Sequence, residues 1–506
     1  MKAMIGQMKA TIGMILALLV WAGSAGVRPA AAAANSPTVT PASGGGGVPV
    51  LYGTFDNVDA IGYQRAEFFV SGNAHSYTTG EALTTDGKWN AIAPAPATAA
   101  YTTRVIVITP KKPKKFKGTV YVEWFNVTGL ADASPDWVHG HLQIAREGAA
   151  YVGVSAQYAG VNQLKVGGPL PSTPGDPVRY ASLVHPGDSY SYDIFSQAGE
   201  AVRDGTLLGG LVAQQLIAIG ESQSAGRLVT YIDAVQPLVD VYDGFVVHSR
   251  FSSGAALSQA PLAAVSAPVP TLIRDDLVPV LVFESEYDVF SSLLLARQDE
   301  TPNSKFRLWE VAGTAHYDVY GLNIGTMDTG DGQGEIENLA AMQDPPSKPQ
   351  PGLIECALPI NTGPMHWVYN AAVHWINQWV TKGTPPPIAP RLQATTAPGN
   401  PVVFAADEHG NSLGGIRTPY VDVPIAKLTG SGNSGAPGGP PTSTFCSLFG
   451  ETVPLSGAAL AALYPNHKTY VKEFGKAAGG AVKSKFLLSK DAGLLKKAAK
   501  QSDIGG

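Results

Sequence analysis

The stretch LIAIGESQSAGRLVTY, residues 216–231, places a short apolar run before a turn and then a segment with helical spacing. Two serines, Ser222 and Ser224, lie in the turn, and each has small residues two positions before and after it. A strand, a sharp turn and a helix in this order are typical of a nucleophile elbow, which needs small residues at those positions. The stretch therefore predicts a nucleophilic serine, and the register of the turn decides which one.

The end of the apolar run sets that register. The run ends at Ile219, so Gly220 begins the turn and Ser222 lies at its tip. Ser224 falls in the first turn of the helix, where its hydroxyl assists the helix N-terminus or faces the neighbouring strands. We therefore expect Ser222 to be the nucleophile.

A serine needs a histidine to take its proton and a carboxylate to orient that histidine. His316, in WEVAGTAHYD, follows a later predicted strand, and three carboxylates follow another strand in VPVLVFESEYDVF. Glu284 is close enough to the strand to point into the packing of the sheet. Asp288 fits the loop just past the strand and is the expected acid, while Glu286 is a competitor because its longer side chain reaches from one turn earlier.

Two backbone N–H groups are needed for the oxyanion of an acyl-transfer intermediate. Gln223, directly after the nucleophile, is expected to supply one of them. The loop after the strand in EWFNVTG should supply the other, from Asn126 or Val127. His248 also ends a predicted strand, but it precedes the acids, so we interpret it as a residue of the pocket lining or the core.

Apolar strands alternate with helical segments over most of the chain. This alternation predicts an α/β fold with a mostly parallel central sheet and helices on both faces, plus N-terminal strands and a C-terminal extension. The predicted strands are 104–110, 118–127, 149–157, 216–220, 241–249, 278–286 and 305–313, and the predicted helices are 136–148, 191–211, 224–235 and 364–383.

The N-terminus has the features of an export signal. Two lysines precede an apolar run of residues 12–22, and a run of alanines follows. We expect a signal peptide at 1–33, a flexible Pro-, Ser- and Gly-rich linker at 34–49, the main domain at 50–390 and an extension packed on it at 391–506. The chain is then secreted or held in the periplasm or cell envelope, without stable membrane insertion after cleavage; an uncleaved anchor is the alternative.

Composition and motifs exclude several other classes. A net charge of −5 gives no indication of nucleic-acid binding. No HExxH or CxxC pattern is present, so no metal site and no cofactor are expected. The acidic, glycine-rich residues 328–338 fail the spacing of a calcium loop and are interpreted as a mobile loop beside the active site. The two cysteines, Cys356 and Cys446, are expected to form a disulfide after export, with two separate buried thiols as the alternative.

Several segments together resemble a family of secreted bacterial proteins with an α/β-hydrolase domain. They are the elbow GESQSAGRLVTYIDAV, with a GxSQSxGR pattern, EWFNVTG, VFESEYDV, GTAHYD, NAAVHWINQWVTKGTPPPIAPRL and FCSLFGETVPLS. The resemblance runs from about residue 50 to 499. It implies the α/β-hydrolase fold, serine-esterase chemistry, Ser222 as nucleophile and His316 as base, but it names no substrate.

The sequence therefore predicts an exported serine hydrolase that cleaves a small-molecule carboxylic ester through an acyl-enzyme on Ser222. An acyltransferase, in which an alcohol replaces water, is the nearest alternative. A secreted binding protein that keeps the fold without the activity is another, and the complete order of serine, acid and histidine argues against it.

Overall fold

A nine-stranded sheet is the centre of the part of the chain that the computed structural model describes, residues 36–168, 174–395 and 402–506. The strands lie in the order β1-β2-β3-β5-β4-β6-β7-β8-β9. They are β1 Thr38–Pro41, β2 Tyr63–Thr79, β3 Ile92–Pro110, β4 Thr119–Trp124, β5 Ala150–Val154, β6 Gln215–Glu221, β7 Gly244–His248, β8 Val280–Ser285 and β9 Phe306–Val311.

The sheet is parallel from β5 to β9 and antiparallel at the other edge. Parallel pairs join β5 to β4, β4 to β6, β6 to β7, β7 to β8 and β8 to β9. Strands β1, β2 and β3 pair antiparallel with their neighbours, and β3 is antiparallel to β5. All six parallel strands run in one direction, so their carboxyl ends meet at one edge, where ligands bind in α/β sheets.

Helices cover the faces of the sheet, and further helices follow its last strand in the sequence. They are α1 Pro135–Arg146, α2 Tyr158–Val166, α3 Ser191–Arg203, α4 Gln223–Thr230, α5 Gln236–Val239, α6 Glu286–Ser291, α7 Gln333–Gln343, α8 Met365–Lys382, α9 Pro419–Asp422, α10 Gly457–Leu463, α11 His467–Lys483 and α12 Ser489–Gln501. Two small sheets pair β10 Ala394–Thr395 with β11 Val403–Phe404, and β12 Ala426–Thr429 with β13 Glu451–Pro454. A π-helical turn, Tyr231–Val235, continues α4.

Strand β6 shows why the parallel strands appear in the sequence as largely apolar runs. Leu216 and Ala218 face one hydrophobic core, which contains α3 and α4, while Ile217 and Ile219 face the other, which contains α1 and α8. Successive side chains of a strand point to opposite faces, so a strand covered on both faces is apolar at most of its positions. The predicted α/β fold with helices on both faces is confirmed.

The prediction of a flexible linker at 34–49 is wrong for Thr38–Pro41. These residues form β1, which pairs with β2 from Thr38 opposite Ser71 to Pro41 opposite Phe68. The alternating Thr-Val-Thr favours a strand, but the surrounding Pro, Ser and Gly obscured it in the sequence. The predicted signal peptide, residues 1–33, lies outside the described residues.

The acidic stretch 328–338 is not the mobile loop that its composition predicted. Residues from Gln333 onward form α7. Asp328 is buried, and its carboxylate accepts hydrogen bonds from the Tyr320 hydroxyl at 2.9 Å and from the backbone N–H of Gly330 at 2.8 Å. These bonds fix the stretch as an ordered helix N-terminus.

Residues 391–506 belong to the same compact unit as the main domain. Helix α12 is joined to α1 and α8 through Asp491, which accepts hydrogen bonds from Arg146 at 2.5 Å and Asn370 at 3.2 Å. The predicted disulfide between Cys356 and Cys446 is present, with the two Cα atoms 5.5 Å apart. Within the described residues, no helix is long and apolar enough to cross a membrane.

Candidate active site

The turn between β6 and α4 has the strained geometry of a nucleophile elbow. Ser222 lies between the last residue of β6 and the first residue of α4, with φ 60° and ψ −117°. A positive φ is rare for a residue with a side chain and marks stored strain. The turn is also crowded, because a Cβ on Gly220 would lie 3.0 Å from Cδ1 of Leu228 and 3.2 Å from Cβ of Ser224. This crowding favours a glycine at position 220, two residues before the serine.

Ser222, His316 and Asp288 form a continuous chain of hydrogen bonds. The Oγ of Ser222 lies 2.7 Å from Nε2 of His316, and Nδ1 of His316 lies 2.6 Å from Oδ1 of Asp288. The three residues follow β6, β9 and β8, so the carboxyl edge of the parallel sheet brings them together. All three side chains are buried.

The electrostatic interactions within this hydrogen-bonded triplet stabilise a protonated His316 beside an ionised Asp288. Burial opposes the charged form of Asp288, but the charge of His316 and two hydrogen bonds from Ser285 outweigh it and hold the pKa of Asp288 below its usual value. Burial likewise lowers the pKa of His316, but Asp288 and then Glu221 outweigh it, so the pKa of His316 is raised. The imidazole is thus a stronger base than a free histidine.

A capping box fixes the position of Asp288. The hydroxyl of Ser285 accepts from the backbone N–H of Asp288 at 3.3 Å, and Oδ2 of Asp288 accepts from the backbone N–H of Ser285 at 2.8 Å and from its hydroxyl at 2.7 Å. One carboxylate oxygen is therefore held by the start of α6, and the other remains for His316.

The other two carboxylates of this strand end point away from His316. Glu286 accepts hydrogen bonds from the backbone N–H groups of Gly313, at 2.5 Å, and Gly430, at 3.1 Å. It therefore ties the loop that carries His316 to the C-terminal region. Glu284 is fully buried, as its closeness to the strand predicted.

Ser224 and His248 have supporting positions around the elbow. The Oγ of Ser224 donates to the carbonyl oxygen of Phe125 at 3.1 Å, which joins α4 to the end of β4. The carbonyl oxygen of His248 accepts from the backbone N–H of Ser222 at 2.8 Å. The ring of His248 is buried and lies 2.7 Å from Asp136, so of the two roles considered for His248 the structure places it in the core.

Asn126 does not offer the backbone donor that the sequence assigned to it. Its N–H donates to the carbonyl oxygen of Ala133 at 3.0 Å, in an isolated bridge that closes the loop after β4. The next N–H, that of Val127, has no hydrogen bond within the described part of the chain. Gln223 is the first residue of α4, so its N–H has no partner within the helix.

Glu221 is a further carboxyl beside His316 that the sequence reasoning missed. Its Oε1 lies 3.3 Å from Nε2 of His316, and its Oε2 accepts from Nδ2 of Asn126 at 2.9 Å. Burial raises the pKa of Glu221 to about 7, against the opposing charge of His316. A signal was available, since a carboxyl directly before the predicted nucleophile, at the end of a buried strand, must lie close to Ser222.

A cavity opens above Ser222 and is mostly apolar. Its empty space, including the part continuous with solvent, is about 890 Å³. Its lining comes from residues 52–53, the loop after β4, the elbow, residues 316–322 and two segments near the disulfide: Tyr52, Gly53, Asn126, Thr128, Gly129, Ala131, Ala133, Pro135, Glu221, Ser222, His316, Tyr317, Gly321, Leu322, Gln350, Leu353, Ile354, Thr442, Phe445, Leu448 and Phe449.

Residues 28–497 match the family model described as the alpha/beta hydrolase domain. The chain belongs to this family. The match includes the elbow, His316, Asp288 and the two cysteines. It also extends through most of residues 391–506, so the C-terminal region of this alpha/beta hydrolase is part of the family's domain.

Solved structures with weak overall similarity to this alpha/beta hydrolase include several esterases. The esterase Est22 is 15% identical, with 50% of this chain and 74% of that chain covered and a TM-score of 0.28. The methylesterase BT1017 is 14% identical, with 51% and 47% covered and a TM-score of 0.26. The rice cell wall degrading esterase LipA from Xanthomonas oryzae is 10% identical, with 43% and 51% covered and a TM-score of 0.25. No curated protein sequence matches the chain.

Proposed function

We propose that the chain is an exported serine hydrolase that cleaves carboxylic esters through an acyl-enzyme on Ser222. The observation that carries the proposal is the hydrogen-bond chain from Ser222 through His316 to Asp288, with distances of 2.7 and 2.6 Å. A nucleophile, a base and an orienting acid in contact are the arrangement that activates a serine hydroxyl at neutral pH.

In the first half of the reaction, Ser222 forms a bond to the acyl carbon while His316 takes its proton at Nε2. Asp288 holds the Nδ1–H of the imidazole and stabilises the imidazolium that forms. The negative charge on the former carbonyl oxygen is then stabilised by the backbone N–H groups of Gln223 and Val127. When the tetrahedral intermediate collapses, the bond to the alcohol oxygen breaks and His316 gives its proton to the leaving alkoxide.

In the second half, water replaces the alcohol. His316 takes a proton from water, whose oxygen attacks the acyl carbon, and the same two N–H groups hold the new oxyanion. The bond to Oγ of Ser222 then breaks, and Oγ receives the proton from His316. The products are a carboxylic acid and an alcohol, and the enzyme returns to its starting state.

Export is supported by the predicted N-terminal signal and by the disulfide. Disulfides persist in the periplasm and outside the cell, and are rare in the reducing cytosol. We therefore assign the chain to the cell envelope or the extracellular space. Fractionation of cells that express the full chain tests this, with the mature protein expected outside the cytoplasm.

Hydrolysis of p-nitrophenyl acetate by the purified protein tests the proposed chemistry. Ser222→Ala should abolish turnover, and Ser224→Ala is the matched control, because its hydroxyl contacts Phe125 rather than His316. We expect Ser224→Ala to retain most of the activity. Product analysis with added short alcohols separates hydrolysis from acyl transfer: free acid as the main product supports the proposal, and ester exchange as the main reaction would contradict it.

A further inference from the structure

Part of the wall of the cavity is built from two segments that lie far apart in the sequence. Leu353 and Ile354 come from one segment, and Phe445, Leu448 and Phe449 from the other. The disulfide between residues 356 and 446 joins the two segments across 90 residues of chain. We refer to these five apolar side chains as the clamped wall.

Hydrogen bonds hold the clamped wall next to His316. The backbone N–H of Tyr317 donates to the carbonyl oxygen of Leu448 at 3.4 Å, and that of Asn361 donates to the carbonyl oxygen of Phe449 at 2.8 Å. The backbone N–H of Glu355 donates to the hydroxyl of Ser443 at 3.0 Å. The wall is therefore fixed relative to the catalytic histidine, and its shape is available before a substrate arrives.

The cavity has an apolar wall but no positive residue to attract an acidic substrate. In the described part of the chain, no lysine or arginine lines the cavity. The carboxyl of Glu221 is one of the lining groups. Leu353, Phe445 and Leu448 are only partly buried and remain in contact with the open cavity. A ligand that covers them removes apolar surface from water, while a ligand carboxylate would lose its hydration without gaining a lysine or arginine partner.

We propose that the clamped wall selects uncharged esters that carry a bulky apolar acyl or alcohol group. The inference rests on the proposed ester hydrolysis and names its substrate class. Leu353 and Phe445 contact the apolar group, while the ester carbon lies at Ser222. Each methylene that becomes buried against the wall should raise kcat/KM by up to about fourfold, the factor that corresponds to about 0.8 kcal/mol.

Two ester series on the purified full chain test the proposal and show which half of the substrate meets the wall. In one, the acyl chain of a p-nitrophenyl ester grows from acetate through butyrate and hexanoate to octanoate. In the other, an acetate ester carries alcohols from methyl to hexyl and benzyl. We expect a rise of at least about tenfold in kcat/KM along one series. Flat or falling values along both, with acetate hydrolysed, would overturn the inference and leave the proposed function standing.

A charged ester tests the second half of the proposal. The p-nitrophenyl monoester of glutaric acid has an acyl chain as long as that of p-nitrophenyl valerate but ends in a carboxylate. We expect its kcat/KM to be at least about tenfold lower than that of the valerate. Equal rates would contradict the proposal. If neither ester, nor acetate, is hydrolysed, the proposed function itself fails.

Substitutions in the wall assign the preference to named side chains. Phe445→Ala and Leu353→Ala should each remove most of the gain in kcat/KM along the favoured series. Leu353→Trp, which fills part of the cavity, should reduce kcat/KM for the longest ester more than it reduces kcat/KM for acetate. Phe116→Ala is the matched control, since Phe116 is also partly buried but lies beside β4 at its amino end. An unchanged preference in all three wall variants would overturn the assignment.

Discussion

His316 lies between two carboxyl groups, and the two have different effects on it. Asp288 accepts from Nδ1 and sets the tautomer that leaves Nε2 free for the proton of Ser222. Glu221 lies on the Nε2 side, at 3.3 Å, and its negative charge stabilises the imidazolium without orienting the ring through Nδ1. The two acids can therefore be separated by substitution.

Replacing Asp288 by Asn should lower kcat by about four orders of magnitude, because an amide favours the wrong tautomer of the histidine. Glu286→Gln is the matched control, since the hydrogen bonds of Glu286 go to Gly313, Gly430 and Ser412 rather than to His316, and Gln keeps one acceptor oxygen. We expect that variant to stay within about tenfold of the wild type. Steady-state kinetics with p-nitrophenyl acetate measures both. A larger loss at Glu286 would move the acid assignment there.

Replacing Glu221 by Gln should shift the acid limb of the kcat/KM profile to lower pH. In the proposed mechanism His316 acts when neutral, so activity should rise with pH through its pKa, and the ionised form of Glu221, whose own pKa is about 7, raises that pKa. Gln removes the charge and keeps an acceptor for Asn126, so the rise in activity begins at lower pH. Glu335→Gln is a matched control, because burial also raises the pKa of Glu335 to about 7 but its side chain contacts Trp367 outside the site. An acid limb that shifts equally in both variants, or in neither, would contradict this role for Glu221.

Sequence reasoning placed Ser222, Asp288 and His316 together because each follows a strongly apolar strand, and parallel strands end at the same edge; the structure brings the three side chains into contact. It failed for Asn126, whose backbone N–H is taken by a bridge to Ala133 seven residues later. A contact of this kind depends on how the loop folds back, and no local pattern in the sequence reports it.

At the scale of elements, the loop after β4 depends on a buried ion pair. Oδ2 of Asp132 lies 2.6 Å from Nη2 of Arg104 and 2.5 Å from the hydroxyl of Ser155, and the guanidinium is fully buried. Glu67 lies 3.6 Å from the same guanidinium. The pair connects β3 and the end of β5 to the loop that carries Val127, so it holds the proposed oxyanion donor in place.

Asp132→Ala should lower the free energy of unfolding by about 3 kcal/mol, because it leaves the buried Arg104 without its main partner. Urea denaturation measures the loss. The control is Asp59→Ala, which removes an exposed ion pair with Lys111 at 2.9 Å, and exposed pairs contribute little. Equal stability of the two variants would show that the buried pair does not hold the loop.

The parallel strands were predictable because each contains consecutive apolar residues. Such a run indicates a strand that is covered by other elements on both faces. The edge strand β1 was not, since four residues within a Pro-, Ser- and Gly-rich stretch carry too little pattern. Likewise, the acidic residues 328–338 were interpreted as a loop from their charge. The burial of Asp328 against Tyr320 and the helix that follows depend on contacts that charge does not indicate.

For the molecule as a whole, the disulfide and the clamped wall differ in how far the sequence predicts them. Because the chain has two cysteines, each has one possible intramolecular partner. The disulfide could therefore be predicted from the cysteine count together with the predicted signal peptide. The wall did not follow, because residues 353–354 and 445–449 meet only in the folded chain. No periodicity or motif connects two short loop segments separated by about 90 residues.

The double variant Cys356→Ser/Cys446→Ser should be less stable than the wild type by about 4 kcal/mol, because the bridge restricts a loop of about 90 residues in the unfolded chain. Urea denaturation of the oxidised wild type and the variant measures the difference. Dithiothreitol added to the variant is the control and should change nothing. Equal stability of variant and wild type would contradict a stabilising role for the bridge.

The measurement that tests the central claim most directly is the location of a covalent adduct. A fluorophosphonate reacts only with an activated serine, so the full chain should gain one adduct, and peptide mapping should place it on Ser222 within the elbow peptide. Ser222→Ala should not be labelled, while Ser224→Ala should be labelled as fast as the wild type. An adduct on Ser224, or no adduct on a folded protein, would contradict the account.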